Sequence, residues 1–129
     1  MAGFGAAPRD AVRRLLGLGP GLTPSGDDIL AGMLIALHAS GRANVATELA
    51  AIIASMPSEL TSVISWAHLD AAAEGLPGPA IHRALIAILA GDHAALSGVL
   101  DVIDTVGHCS GWDMLAGAVV ALAAVAGDG

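Results

Sequence analysis

Two tetrapeptides carry the residues best placed for chemistry, Ser25-Gly26-Asp27-Asp28 and Ser110-Gly111-Trp112-Asp113, each with a hydroxyl three residues before a carboxylate at the head of an apolar run. At the start of a helix that spacing is a capping box, with Asp standing where Glu is commoner. The same physics makes an anion site, because the first N–H groups of a helix lack partners within it and the helix dipole is positive at that end. Two readings therefore stand side by side. Either the motifs only begin helices, or two helix starts meet and hold a phosphate, a carboxylate or both. The preceding loop, Gly17-Leu18-Gly19-Pro20-Gly21, brings Gly19 and Gly21, whose missing side chains allow close backbone approach to a ligand, and leads to the hydroxyls of Thr23 and Ser25. It is neither a Rossmann fingerprint, which needs a strand before it, nor a Walker loop, which needs a lysine, and this chain contains none.

Asp27, Asp28 and Asp113 pose a problem of sign, since carboxylates repel an anion unless they cap helices or hold a cation. Mg2+ would resolve it, taking one or two protein carboxylates together with water and phosphate oxygens. Further along, Thr61, Ser62 and Ser65 form a row of small hydroxyls, with Thr61 and Ser65 four residues apart on one side of a helix, and His68 extends the row by a turn. Such hydroxyls also bond to the carbonyl one turn back, which is their plainer reading. His108 and Cys109 precede Ser110, but sequence neighbours seldom orient as nucleophile and base, so no catalytic role falls to Cys109. Arg9 and Arg13, one turn apart, could clamp an anion; a solvated helix face is the commoner outcome. His38, His82 and His93 read as core or surface histidines.

These residues must be positioned by helices. Apolar spacing is helical throughout and no run of alternating β-branched residues occurs, so the fold class is all-α: one domain over 1–129, a compact bundle of six to seven Ala- and Leu-rich helices. The first helix starts near Pro8 and stops at Gly17; the next runs from about Gly26 to Ala39. Asn44 and Ser58 are the expected caps of the third and fourth helices, and Gly75 closes the fourth. Ala80 to Ala90 and a helix capped by Asp92 follow, the latter ending at Gly107. The final helix repeats the second: SGDDILAGMLIAL (25–37) and SGWDMLAGAVVAL (110–122) agree at eight of thirteen positions, 85 residues apart. Solenoid periods are shorter, which points to a pseudo-twofold pair of loop-helix units.

Composition narrows the function. Residues are 55% hydrophobic and 13% charged, with five arginines against twelve acids and a net charge of −7, which excludes non-specific nucleic-acid binding through phosphate neutralisation. The absence of lysine removes Schiff-base chemistry. One cysteine allows no internal disulfide, and the start, MAGFGAAPRD, has no basic region followed by a long apolar one, so the expected location is cytoplasmic. Mean hydropathy of +0.73 raises the question of a membrane. The uncharged runs 114–127 and 29–41 are shorter than the about 20 residues a span requires. Helices this apolar on every side are buried, in part against other chains, so a homo-oligomer or partner subunits are expected.

Three stretches, GLGPGLTPSGDDILAG (17–32), TSVISWAHLDAAAEG (61–75) and GHCSGWDMLAG (107–117), in this order resemble the signature blocks of the AllH-like family. The resemblance implies a subunit of oxamate carbamoyltransferase in allantoin degradation, a branch of purine catabolism, where a carbamoyl group passes between oxalurate and phosphate to give oxamate and carbamoyl phosphate. It implies a multi-subunit assembly and a polar set made of Thr23, Ser25, Gly26, Asp27, Asp28, Thr61, Ser62, Ser65, His108, Ser110 and Asp113. Family members are longer, with an N-terminal portion that this sequence lacks, so 1–129 corresponds to the C-terminal part of the family architecture. Cys109 departs from the hydroxyl residue usual in the family. The expected ligand is a small anionic metabolite such as carbamoyl phosphate, oxamate or phosphate; the alternative is a helical assembly module whose motifs are caps and nothing more.

Overall fold

A fifteen-residue helix, Ser25–Ala39, lies at the centre of the molecule with ten of its residues buried. It is apolar on nearly every side, and such a helix has to be surrounded. The computed structural model describes residues 6–76, 79–103 and 110–128, and all regular structure among them is helical. In chain order these are α1 (Ala6–Leu15), α2 (Ser25–Ala39), α3 (Ala43–Ala54), a 3-10 turn (Ser58–Leu60), α4 (Val63–Ala73), α5 (Pro79–Ala90), α6 (His93–Ile103) and α7 (Ser110–Asp128). The all-α bundle expected from periodicity is what the chain forms. Around α2 pack α7, α4, α3 and α1, while α5 pairs with α6 and touches α7. Leu30, Leu34, Leu69, Leu85 and Ile103 are fully buried and fill the core.

Most extensive is the contact of α2 with α7, and glycine permits it. A Cβ on Gly32 would fall 1.9 Å from the Met114 carbonyl oxygen, and one on Gly117 would fall 2.0 Å from that of Ile29. Gly117 follows Gly32 by the repeat distance, and Met114 follows Ile29 by the same distance. The two contacts are thus one contact seen twice. The internal repeat is a structural pseudo-twofold, with each helix laying its glycine on its counterpart's backbone.

Helix starts differ from the sequence expectation at three places, Ser25, Asn44 and Ser58. Asn44 does not cap α3, which begins one residue earlier with Arg42 at the capping position and no side-chain cap. The connection is too short to leave room for a cap: Gly41 N–H donates to His38 O (3.2 Å) and Arg42 N–H to Leu37 O (2.8 Å), so Ser40 to Arg42 are spent closing α2. Ser58 starts only the 3-10 turn, Thr61 is extended at φ −146°, ψ −179°, and Ser62 is the cap of α4, accepting the Ser65 N–H at 3.0 Å. Thr61 thus stands just before the helix rather than on it. Asp92 does cap α6, accepting the Ala95 N–H at 3.0 Å. The expected end of α6 at Gly107 falls outside the described residues. Among the described residues no helix is long and apolar enough to cross a membrane.

Candidate functional site

Of the polar residues singled out by spacing, Asp27, Asp28, Thr61, Ser62 and Ser65 gather where α2 begins beside α4. Asp27 is fully buried, and its two carboxylate oxygens take three protein hydrogens. Oδ1 accepts the Gly17 N–H at 2.7 Å, and Oδ2 accepts the hydroxyls of Thr61 and Ser65. Ser65 is itself fully buried, so its hydroxyl requires a partner and finds the strongest kind, a charged acceptor. One carboxylate therefore joins the end of α1, the start of α2 and the start of α4. The backbone supports this junction. Gly17 adopts φ +81°, a left-handed conformation that suits glycine, and a Cβ there would sit 2.0 Å from Leu60 O.

Ser62 fastens the glycine-rich loop from the other side. Its hydroxyl donates to Leu22 O at 2.5 Å while accepting the Ser65 N–H, so one side chain caps α4 and ties down the loop. Within that loop Gly19 and Gly21 take φ +116° and +92° and are exposed. Thr23 and Ser25 are half-buried.

Ser25 does not form the capping box its spacing suggests. Pro24 occupies the capping position with ψ 150°, Ser25 is already the first helical residue, and no side chain caps the helix. Backbone carbonyls serve instead: the Gly26 N–H donates to Leu18 O (3.0 Å) and the Asp27 N–H to Pro24 O (3.0 Å). Two of the first-turn donors that an anion would use are thus committed to the protein. Gly26 is where α1 and α2 press together, since a Cβ there would lie 1.8 Å from Leu15 O.

Asp28 is 1% exposed, with its Oδ1 3.8 Å from Nε2 of His68, whose side chain is 38% exposed. Thr61, Ser65 and His68 thus meet two consecutive acids of α2 along one line, the first two on Asp27 and the third on Asp28. At 3.8 Å the two atoms are beyond hydrogen-bond reach, and the imidazole stands beside the buried carboxylate with part of its ring exposed. Gly17 belongs to this cluster although the sequence gave it no part in a site, and His68, read as one more turn of the hydroxyl row, stands at its end. The i, i+4, i+7 spacing of 61, 65 and 68 was the signal for His68; nothing in the sequence marks the Gly17 N–H.

The second Ser-Gly-x-Asp start is less fully described. Ser110 opens α7 and Asp113 lies half-buried in its first turn. His108 and Cys109 lie outside the described residues. Among the described residues no three His, Cys, Asp or Glu side chains gather as metal ligands. The donor set of Asp27 does not fit Mg2+ either, because both hydroxyl hydrogens on Oδ2 and the N–H on Oδ1 occupy the positions a cation would take. Arg9 and Arg13 are exposed on α1, as a solvated face would be.

Residues 15–122 match the family described as oxamate carbamoyltransferase subunit AllH. No solved structure matches the chain.

Proposed function

The chain belongs to the AllH family, oxamate carbamoyltransferase subunit AllH, and from that premise we propose that it binds a small carbamoyl-, carboxylate- or phosphate-bearing ligand beside the start of α2, as one subunit of a carbamoyltransferase. The observation that carries this reading is the alignment of Thr61, Ser65 and His68 with Asp27 and Asp28 next to a loop of positive-φ glycines. Backbone N–H groups of Gly19 and Gly21 and the hydroxyls of Thr23 and Ser25 face the anion; the start of α7 lies beside Gly32 rather than beside Ser25, so the second Ser-Gly-x-Asp start has no part in it. Asp27 holds the loop and α4 in place and touches no ligand. Chemistry here consists of positioning and electrostatic stabilisation. Calorimetry of the chain with carbamoyl phosphate, oxamate and phosphate, with and without Mg2+, tests it; a folded sample that binds none of them, with partner subunits supplied as well, removes the proposal.

A second reading is favoured by one specific feature. Asp27 and the first N–H groups of α2 already have protein partners. In a helical assembly module these motifs would only fix helix starts. Asp28→Asn separates the two. The module reading expects a lower melting temperature with no change in ligand response, whereas the binding reading expects a changed anion affinity and stability equal to or above the parent.

A further inference from the structure

Two consecutive acids beside an anion loop pose a problem of sign, and the structure resolves it for only one of them. Asp27 is met by two hydroxyls and an N–H of its own chain, which make it a junction between helices. Asp28, 1% exposed, has His68 Nε2 3.8 Å from its Oδ1. That nitrogen is itself buried and has no hydrogen-bond partner among the described residues, although the His68 side chain as a whole is 38% exposed. A buried polar atom without a partner carries a free-energy cost that a ligand supplying the bond removes. A carboxylate oxygen and an imidazole nitrogen 3.8 Å apart are too distant to bond each other. They match one molecular edge well, that of a primary carboxamide, whose N–H donates and whose C=O accepts side by side. Position along α2 fits too. Ser25 and Asp28 are three residues apart on one face of the helix, about 4.5 Å along its axis. An anionic group at Gly19, Gly21 and Ser25 therefore lies one turn from Asp28 and His68, within the length of a small molecule that carries a carboxamide as well.

We propose that Asp28 is the specificity-determining residue of this site: its carboxylate accepts a hydrogen bond from the amino group of a carbamoyl ligand, while His68 Nε2 donates to the carbonyl oxygen of the same group. The inference deepens the binding reading above and rests on it. It also gives the second acid a purpose without a cation. A carboxylate beside an anion site repels a ligand built of acceptors alone, such as oxalate, and favours one whose far end carries hydrogens. His68, half-exposed and with Nε2 unbonded, turns outward to admit that end.

Titration calorimetry on the full chain tests this with isosteric pairs: oxamate against pyruvate, and carbamoyl phosphate against acetyl phosphate, each pair differing only by an amino group in place of a methyl. The wild type is expected to bind the amino member roughly 10- to 100-fold tighter, the effect of one hydrogen bond to a charged group. Asp28→Asn is expected to cut that preference by about fivefold or more, whereas His68→Ala weakens both members alike, because the carbonyl is common to them. Circular dichroism checks folding. Should Asp28→Asn unfold, Asp28→Glu, which keeps the charge and displaces it, takes its place with the same fall expected. Asp70→Asn, at an exposed position on α4, should leave the ratio unchanged. Equal binding of both members by the wild type overturns the proposal and leaves the anion-binding reading standing. So does a preference that the Asp28 variant retains in full, or one that His68→Ala or Asp70→Asn removes equally. A folded chain that binds none of these ligands removes the binding reading, and this inference with it.

Discussion

Replacing Asp27 by asparagine removes the charge that draws three elements to one point. The carboxamide keeps one acceptor oxygen and turns two donors toward groups that are themselves donors, so at least one of the three hydrogen bonds is lost and another is weakened. A hydrogen bond to a charged group contributes about 1.5–3 kcal/mol, and a buried partner left unsatisfied adds to the loss. With Asp27 and Ser65 fully buried, the expected destabilisation is about 2–4 kcal/mol. For a chain of this size, each kcal/mol corresponds to roughly 3–5 °C, so Tm should fall by roughly 6–20 °C. Urea unfolding of wild type, Asp27→Asn, Ser65→Ala and the double variant completes a cycle. Ser65→Ala alone should cost about 1–2 kcal/mol, since Thr61 and Gly17 still hold the carboxylate. The double variant should cost less than the sum by about 1 kcal/mol, because each change removes the same bond. Losses that add to within about 0.3 kcal/mol, or an Asp27→Asn protein as stable as the parent, would refute the claim that this carboxylate is the junction of α1, α2 and α4.

Three further outcomes follow from contacts elsewhere. Gly32→Ala and Gly117→Ala should each destabilise by about 2–3 kcal/mol in urea unfolding despite alanine's better helix propensity, because either methyl forces α2 and α7 apart. Gly98→Ala on α6, where an added Cβ meets nothing within 4 Å, should instead stabilise by about 0.5–1 kcal/mol. Ser62→Ala loses both the cap of α4 and the tie to Leu22, and should lower stability by about 1–2 kcal/mol and weaken anion binding in the calorimeter. His68→Gln should leave the unfolding midpoint within about 0.5 kcal/mol of wild type, as a half-exposed side chain should, while lowering affinity for phosphate and carbamoyl phosphate; equal affinities would remove His68 from the site.

The fold class was readable because the signal for it is redundant. Every apolar run has helical spacing, and Gly41, Gly75 and Gly91, each at positive φ, close helices where composition suggests. The repeat was readable too, from one tetrapeptide in register, although only the reciprocal contacts of Gly32 and Gly117 reveal why two glycines recur at the same place: they let two backbones touch. Caps were harder. Ser25, Asn44 and Ser58 are all good capping residues by type, yet in each case a competing local bond decides the start: Leu18 O for the Gly26 N–H, the closing turn of α2, and the extended Thr61 that reaches Asp27. Propensity ranks residues singly, whereas these outcomes depend on which partner the backbone or side chain finds, five positions back for Arg42, eight for Gly26 and 34 for Thr61. The same limit hid Gly17, whose role is performed by a backbone N–H that no side-chain pattern announces.

Comparing the two Ser-Gly-x-Asp starts position by position changes what the pair means. Asp28 has its counterpart in Asp113, but Asp27 has Trp112, so the second unit lacks the carboxylate that gathers Thr61, Ser65 and Gly17 in the first. A tryptophan at that position brings no carboxylate to accept from neighbouring hydroxyls. The two units thus share a helix-packing device, the glycine contact, while diverging at the residue beside it. In the first unit divergence produces an internally satisfied polar junction with His68 at its open end. In the second it leaves an apolar face outward. The substitution that probes this divergence is a single one: Trp112→Asp should add a carboxylate to the second unit without adding an anion site, since the hydroxyls of Thr61 and Ser65 are bound to Asp27. Phosphate titration on that variant reads the effect, and a gain of phosphate binding over the parent would show that the carboxylate alone, rather than its hydroxyl partners, makes the site.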